Sequence, residues 1–300
     1  MNTPYRTVSR FVLGLTALAT ALAVAGPADA APRTLFGVSV AGVSGETAAQ
    51  TVARTRAQFG SLPVARIFDD MPPDSWSANP RLAALGTGSS VVYSVKGGDI
   101  GAVAAGSLDA RMSAFLRSKP GGVTVYVALH HEPEDDVAQG TFTAAQFVAA
   151  TARLAPVIRS AGGVPTTILM AYTAQPGSGR NWRDYYTPAV DVLAWDAYNT
   201  AATAKVPGYR DLDSMVAAVA AVARETGKPF GWAELGSPCI ASDPNCTGRA
   251  AWLTAVGGAM SRAGASFVTY WNRSALSGPS DYALRDAPSV SAWRDLIQRG

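Results

Sequence analysis

The stretch VTVYVALHHEPEDD, residues 123 to 136, joins an apolar segment to a polar one. The apolar part, Val123–Leu129, is short, rich in β-branched side chains and almost unbroken by polar residues. Such a run is typical of a strand that is buried on both faces of a parallel sheet. The polar part then follows the carboxyl end of that strand, which is where parallel α/β folds place their functional side chains.

Seven further runs of the same kind recur along the chain, and helical patterns separate them. The runs are Thr34–Val40, Val64–Phe68, Val91–Val95, Thr166–Ala171, Val190–Ala197, Phe230–Glu234 and Ser266–Trp271. Helix boundaries are also marked, since Thr143 and Gln146 form a capping box and Gly227 ends a helix rich in Val and Ala. Eight such units in about 270 residues predict a single (β/α)8 barrel over residues 31–300, with its active site at the C-terminal ends of the strands.

An open, doubly wound sheet is the alternative α/β architecture. That fold usually carries a glycine-rich phosphate loop after its first strand. Here the first strand is followed by AGVSG at residues 41–45, which lacks the G-x-G-x-x-G spacing. The sequence also contains no G-x-x-x-x-G-K-[ST] loop and no G-x-S-x-G nucleophile elbow. We therefore expect the closed barrel.

Composition excludes several classes of protein. The chain is 48% hydrophobic and 16% charged, which is typical of a globular protein. A net charge of +3 without a Lys/Arg cluster predicts neither a nucleic-acid partner nor a membrane surface. Two adjacent His and two Cys exclude zinc fingers, iron–sulfur clusters and a disulfide framework. We expect a monomer.

The first 30 residues have the pattern of a secretory signal peptide. Arg6 and Arg10 precede an uncharged apolar run, Phe11 to Gly26, and Ala28-Asp29-Ala30 supplies a small-x-small cleavage site. An uncleaved anchor is the alternative, but a membrane span needs about 20 apolar residues. We therefore predict an exported, extracellular protein. An oxidising exterior would permit a disulfide between Cys239 and Cys246.

Two glutamates end buried strands that face each other across the predicted barrel. Glu132 follows strand four and Glu234 lies on strand seven. A carboxylate in such apolar surroundings is costly unless it is paired or functional. Two carboxyls about 5–5.5 Å apart across a bound sugar are the requirement for retaining glycoside hydrolysis. The pair therefore predicts an acid/base and a nucleophile, although a structural ion pair between Glu234 and Arg66 is an alternative.

Three segments resemble clan A glycoside hydrolases, most closely glycoside hydrolase family 26, which comprises secreted β-mannanases and related endo-glycanases. They are the His131-Glu132 pair, VDV and DAYN at residues 190–192 and 196–199, and AELG at residues 233–236. The resemblance implies that Glu132 is the acid/base and Glu234 the nucleophile, with no cofactor and no metal. The residues it implies in substrate binding or orientation are Arg66, His131, Tyr198, Trp271 and Asn272.

The sequence departs from that family beside both ends of the cleaved bond. After Glu132 the run PEDDV at residues 133–137 is acidic where aromatic residues are common, and Lys96-Gly97 stands where a His is frequent. We read Glu134, Asp135 and Asp136 as a solvated acidic loop. The expected substrate is a poly- or oligosaccharide, mannan-like or another β-glycan, and short loops favour internal cleavage.

Two functions from other classes remain as alternatives. The first is a carbohydrate-binding barrel without turnover, because a fold does not determine a function. The second is a metal-dependent hydrolase whose ligands come from one segment, namely His130, His131, Glu132, Asp135 and Asp136. Of the adjacent His residues we favour His131 for the site, and we expect Asp196 to cap a loop or to position Tyr198.

Overall fold

The computed structural model of the chain describes residues 1, 33–199, 208–274 and 281–300. Residues 2–30 of the predicted signal peptide lie outside this set. No helix within the described ranges is both long enough and apolar enough to cross a membrane.

Eight parallel strands pair in chain order and close into a barrel. They are β1 (Leu35–Ser39), β2 (Val64–Asp69), β3 (Ser90–Val95), β4 (Val125–Leu129), β5 (Val164–Met170), β6 (Val192–Tyr198), β7 (Phe230–Gly236) and β8 (Phe267–Tyr270). Each was predicted from its apolar run, and the observed ends differ from the predicted ones by at most two residues. The (β/α)8 barrel is therefore confirmed, and the doubly wound sheet is excluded because β1 pairs with β8.

Helices cover the outside of the barrel between the strands. They are α1 (Ala48–Phe59), α2 (Pro80–Leu85), α3 (Ile100–Ala104), α4 (Asp109–Arg117), α5 (Pro133–Ala138), α6 (Ala144–Ser160), α7 (Asp213–Thr226), α8 (Thr247–Arg262) and α9 (Ala287–Arg299). The predicted capping box is present at the start of α6, where Thr143 and Gln146 bond reciprocally. Gly227 ends α7 in the left-handed conformation that favours glycine.

Strand side chains divide between two apolar clusters. A small cluster inside the barrel contains Val64, Ala194 and Phe267, and a larger one lies between the strands and the helices. Along β6 the alternation is regular, so Trp195 packs among the helices and the next residue, Asp196, faces the barrel. Trp232 and Tyr270 also belong to the larger cluster. Among the aromatic residues at the ends of β6, β7 and β8, Tyr198 and Trp271 are the ones outside it.

Candidate active site

Glu234 faces the barrel because β7 carries a β-bulge. Strict alternation would place Glu234 on the same side as Trp232, among the helices. Instead Trp195 pairs with Trp232 while Asp196 pairs with Glu234, so Ala233 is an extra residue. The same shift occurs against β8. A bulge redirects the side chain that follows it, and Thr269 stabilises this one by donating its hydroxyl to the Ala233 carbonyl.

The end of β4 redirects its side chains in another way. His130 and Glu132 have φ angles of 49° and 52°, in the left-handed region that non-glycine residues rarely adopt. As a result His130 turns outward and bonds Asp136 at 2.7 Å through Nε2. His131 turns into the barrel, where Nδ1 lies 2.9 Å from the Ser94 hydroxyl. Such conformations cost about 1–3 kcal/mol each and cluster at functional sites.

These two irregularities bring three acidic side chains together. Carboxylate oxygens of Glu132, Asp196 and Glu234 lie within 4.8 Å of one another. Glu132 and Glu234 were predicted to converge, and this upper limit of 4.8 Å between their oxygens is shorter than the roughly 6.5–9.5 Å that separates the carboxyls of inverting glycosidases. Asp196 was expected to cap a loop or to position Tyr198, and it does neither through a hydrogen bond among the described residues.

Glu234 is held between a cation and a phenol. The carboxyl is buried, with 4% of the residue exposed. Its Oε1 lies 3.1 Å from Arg66 Nη2, and its Oε2 accepts a hydrogen bond from the Tyr198 hydroxyl. The contact with Arg66 is an ion pair without a well-aligned hydrogen bond. Neither Arg66 Nη2 nor Glu234 Oε1 has a hydrogen-bond partner in the described part of the chain. The two contacts fix the position of the Glu234 carboxyl in the barrel.

Glu132 lies in surroundings that favour its protonated form. Burial is the main cause that raises its pKa, to about 8, and the negative charges of Glu234 and Glu134 add to the effect. Lys96 and Arg66 lower it only in part. Glu132 is therefore protonated at neutral pH.

Asp196 is the residue that sequence reasoning missed. It is 3% exposed, and neither of its carboxyl oxygens has a hydrogen-bond partner among the described residues. Burial raises its pKa well above the usual range, and the charges of Glu234 and Glu132 raise it further. The available signal was its place on β6, two residues before Tyr198 and on the same inward face.

Aromatic rings form the wall of the site toward β8. Trp271 stacks on Phe68 with ring centres 5.8 Å apart, and Phe68 lies 5.3 Å from the His131 ring. Arg66 lies over the same Phe68 ring. Asn272, the other predicted binding residue, has its polar atoms committed to the protein, because its amide oxygen accepts the Leu284 N–H at 2.8 Å and its backbone N–H bonds Ser39 at 2.9 Å.

The acidic run after Glu132 is not a solvated loop, as the sequence suggested. It forms α5, and Glu134 at its start is completely buried. Burial raises the pKa of Glu134 to about 7, while one of its oxygens accepts the Met170 N–H at 2.9 Å. Helix formation follows from Pro133 at the first helical position.

The alternative metal site on residues 130–136 is not assembled, because most of its candidate ligands bond other protein groups. His130 and Asp136 bond each other, and Asp135 pairs with Arg180 at 2.8 Å. Within the described residues, the one group with metal-like spacing is Glu132, Asp196 and Glu234, where Arg66 already supplies a positive charge.

A disulfide follows β7, the strand that carries Glu234. Cys239 and Cys246 are bonded, with Cα atoms 5.4 Å apart, as the sequence predicted. The bridge closes the turn between β7 and α8. It thereby ties down the segment that leaves the site just after Glu234.

The barrel is similar to those of solved glycoside hydrolases. The catalytic domain of the family 26 endo-β-1,4-mannanase from Bacillus sp. JAMB-750 has a TM-score of 0.63 at 15% identity, covering 89% of this chain and 86% of that one. The family 26 β-mannanase of Bacteroides ovatus has a TM-score of 0.56 at 14% identity, covering 89% of each chain. A Bacteroidetes-affiliated family 5 cellulase has a TM-score of 0.59 at 13% identity, covering 89% of this chain and 92% of that one.

The chain matches no protein-family model and no curated protein sequence. At the identities of the solved structures, the likeness is one of fold. The resemblance to the clan A barrels is confirmed at that level.

Proposed function

We propose that the protein is a secreted retaining β-glycoside hydrolase that cleaves a poly- or oligosaccharide internally. The observation that carries the proposal is the convergence of a protonated Glu132 and the Arg66-paired Glu234, whose carboxyl oxygens lie within 4.8 Å of each other. A carboxyl whose raised pKa keeps its proton, beside a second carboxyl that is paired with a cation, is the arrangement that acid/base and nucleophile roles require.

In the first step, Glu234 attacks the anomeric carbon of the bound sugar. The glycosidic C–O bond breaks, and Glu132 gives its proton to the leaving oxygen, which departs as a hydroxyl. A covalent glycosyl ester on Glu234 results. Arg66 and the Tyr198 hydroxyl hold the attacking carboxylate in position until the bond forms.

In the second step, Glu132, now ionised, takes a proton from water. The water oxygen attacks the anomeric carbon, the ester bond to Glu234 breaks, and the sugar leaves with its original configuration. Glu132 is again protonated, which its raised pKa favours. The cycle needs no cofactor.

The substrate class follows from fold and site together. Solved barrels of similar structure are described as β-1,4-mannanases, a β-1,4-galactanase and a cellulase. We propose a β-linked glycan as substrate, and export is supported by the N-terminal signal pattern and by the disulfide.

The test is release of reducing ends from mannan, xylan, mixed-linkage glucan, β-1,3-glucan and β-1,4-galactan. We expect activity on at least one glycan. Glu132→Gln should lower kcat about 10²–10⁴-fold, the usual contribution of general acid–base catalysis, and Glu234→Gln should abolish it. The control is Glu225→Gln, an exposed glutamate on α7 that pairs with Arg183, which should keep parental activity.

Three outcomes would contradict the proposal. Parental rates in both Glu132→Gln and Glu234→Gln would remove the assigned roles. Binding of a glycan without release of reducing ends from any of them would favour the carbohydrate-binding alternative. Activity that is lost on chelation would favour metal-dependent hydrolysis.

A further inference from the structure

A cavity of about 280 Å³ lies beside the site, between the ends of β1 and β8. Its lining includes three arginines, Arg54, Arg273 and Arg285, and none of the described residues that line it is acidic. The charged side chains of this lining are therefore all cationic.

One of the three arginines retains an uncompensated charge. Arg54 pairs with Glu46 at 2.7 Å, and Arg285 pairs with Asp281. Arg273 has no ion-pair partner in the described ranges, and its guanidinium instead lies 5.4 Å from the ring centre of Trp271. A cation held over an aromatic ring keeps its planar N–H donors free for an anion.

Hydrogen bonds hold part of the wall of this cavity in place. Asn272 accepts the Leu284 N–H at 2.8 Å and reaches the Gln58 side chain at 3.4 Å. Arg54 donates to the Ala41 carbonyl at 3.1 Å. These bonds link the end of β8 to α1 and to the segment that follows β1. Preorganised donors lose less entropy on binding than mobile ones.

Packed side chains connect the wall of the cavity to the catalytic centre. Arg273 lies over Trp271, Trp271 stacks on Phe68, and Phe68 underlies Arg66, the ion-pair partner of Glu234. The Trp271 N–H also bonds the carbonyl of Leu235 at 2.8 Å. Arg273 therefore stands at the end of a stack of side chains that begins at the Glu234 ion pair, on the β8 side of the site.

We propose that this cavity is an anion subsite that binds the carboxylate of an acidic sugar, so that the preferred substrate is a β-glycan carrying uronic acid residues. The inference rests on the proposed function and names its substrate class. Arginine suits this task because its planar guanidinium binds a carboxylate through two parallel N–H···O bonds. Arg273, whose charge has no ion-pair partner among the described residues, makes the direct contact.

The experiment uses two probes of the same linkage and stereochemistry, β-1,4-mannohexaose and β-1,4-hexamannuronate, which differ by one carboxylate per sugar. Calorimetric titrations use full-length protein carrying Glu132→Gln, which prevents turnover. Because Glu132 is protonated at neutral pH, this change leaves the charge of the site unaltered. Arg273→Gln is added on that background, and Arg224→Gln, on the exposed side of α7, is the matched control.

We expect hexamannuronate to bind at least about tenfold more tightly than mannohexaose in low salt, with the difference shrinking as salt is added. Arg273→Gln should remove most of that difference, while Arg224→Gln should preserve it. Equal affinity for the two probes, no measurable binding of hexamannuronate, or an equal loss for both probes in Arg273→Gln would overturn the proposal.

The outcome is separable from that of the proposed function. A protein that releases reducing ends from a neutral glycan, and that shows no charge preference, keeps the proposed function and loses the anion subsite. A protein that binds hexamannuronate through Arg273 but cleaves no glycan loses the function and keeps the subsite.

Discussion

At the scale of single residues, the charge of each carboxyl is decided by its surroundings. Glu234 has Arg66 and Tyr198 as partners, whereas Asp196 has none among the described residues. Three carboxylates within 4.8 Å beside one guanidinium cannot all be ionised, because like charges at that distance repel strongly. Burial raises the pKa of both Asp196 and Glu132, so these two carboxyls are the ones that hold protons.

Asp196→Asn tests this assignment. If Asp196 is neutral, the isosteric amide leaves the charge of the site unchanged, so kcat/KM should still fall above about pH 8, where Glu132 loses its proton. The measurement is the pH profile of kcat/KM for both proteins. Were Asp196 ionised, its removal would lower the pKa of Glu132, and an alkaline limb shifted by one pH unit or more toward acid would refute the assignment.

At the scale of secondary structure elements, the site depends on two departures from regular geometry. The bulge in β7 turns Glu234 inward, and the left-handed residues after β4 turn His131 inward and His130 outward. Each departure is compensated by a bond from a neighbouring strand. For the bulge, that bond comes from Thr269 on β8.

Thr269→Val removes the hydroxyl and keeps the branched shape. The buried Ala233 carbonyl then loses the Thr269 hydroxyl as its partner, which should lower the free energy of unfolding by about 1–3 kcal/mol. Since the bulge aims Glu234, kcat should fall as well. Urea unfolding and kcat measure the two effects.

Thr254→Val is the control, because the Thr254 hydroxyl bonds Ala250 on the exposed side of α8. It should leave kcat unchanged. A Thr269→Val protein with parental urea midpoint and parental kcat would show that the bulge does not need this hydroxyl.

At the scale of the whole molecule, the buried acids link stability to pH. Burial is the main cause that raises the pKa of Glu132 to about 8 and that of Glu134 to about 7. The folded protein therefore binds more protons than the unfolded chain above pH about 4.5, and its stability falls as pH rises toward these values. Burial lowers the pKa of His131 below its usual 6.5, which opposes the trend only below about that pH.

We expect the free energy of unfolding to fall between pH 6.5 and 8.5 by on the order of 2 kcal/mol. Urea denaturation at the two pH values measures it. Glu134→Gln keeps an acceptor for the Met170 N–H and removes one titrating group, so its pH dependence should be shallower. A stability that is constant or rises over this range would contradict the linkage.

The sequence by itself determined the architecture and the order of the polar groups along it. Continuous apolar runs such as Val123–Leu129 encode strands buried on both faces, and eight of them separated by helices leave the closed barrel as the consistent arrangement. The carboxyl ends of parallel strands meet at one mouth. That rule predicted Glu132 and Glu234 at one mouth before any coordinates, and the resemblance to clan A glycoside hydrolases added Arg66 and Tyr198.

Only the tertiary structure decided which way these side chains point and which are charged. Period-two alternation would have turned Glu234 and His131 toward the helices, and the bulge and the left-handed residues that prevent this depend on register against neighbouring strands. Contacts between segments distant in sequence decide three further features. They bury Asp196 without a hydrogen-bond partner, they bury Glu134 in a helix, and they leave the charge of Arg273 uncompensated. The local sequence pattern determines the periodicity of each element. The direction of a side chain and the protonation of a carboxyl depend on the residues from other segments that pack against it.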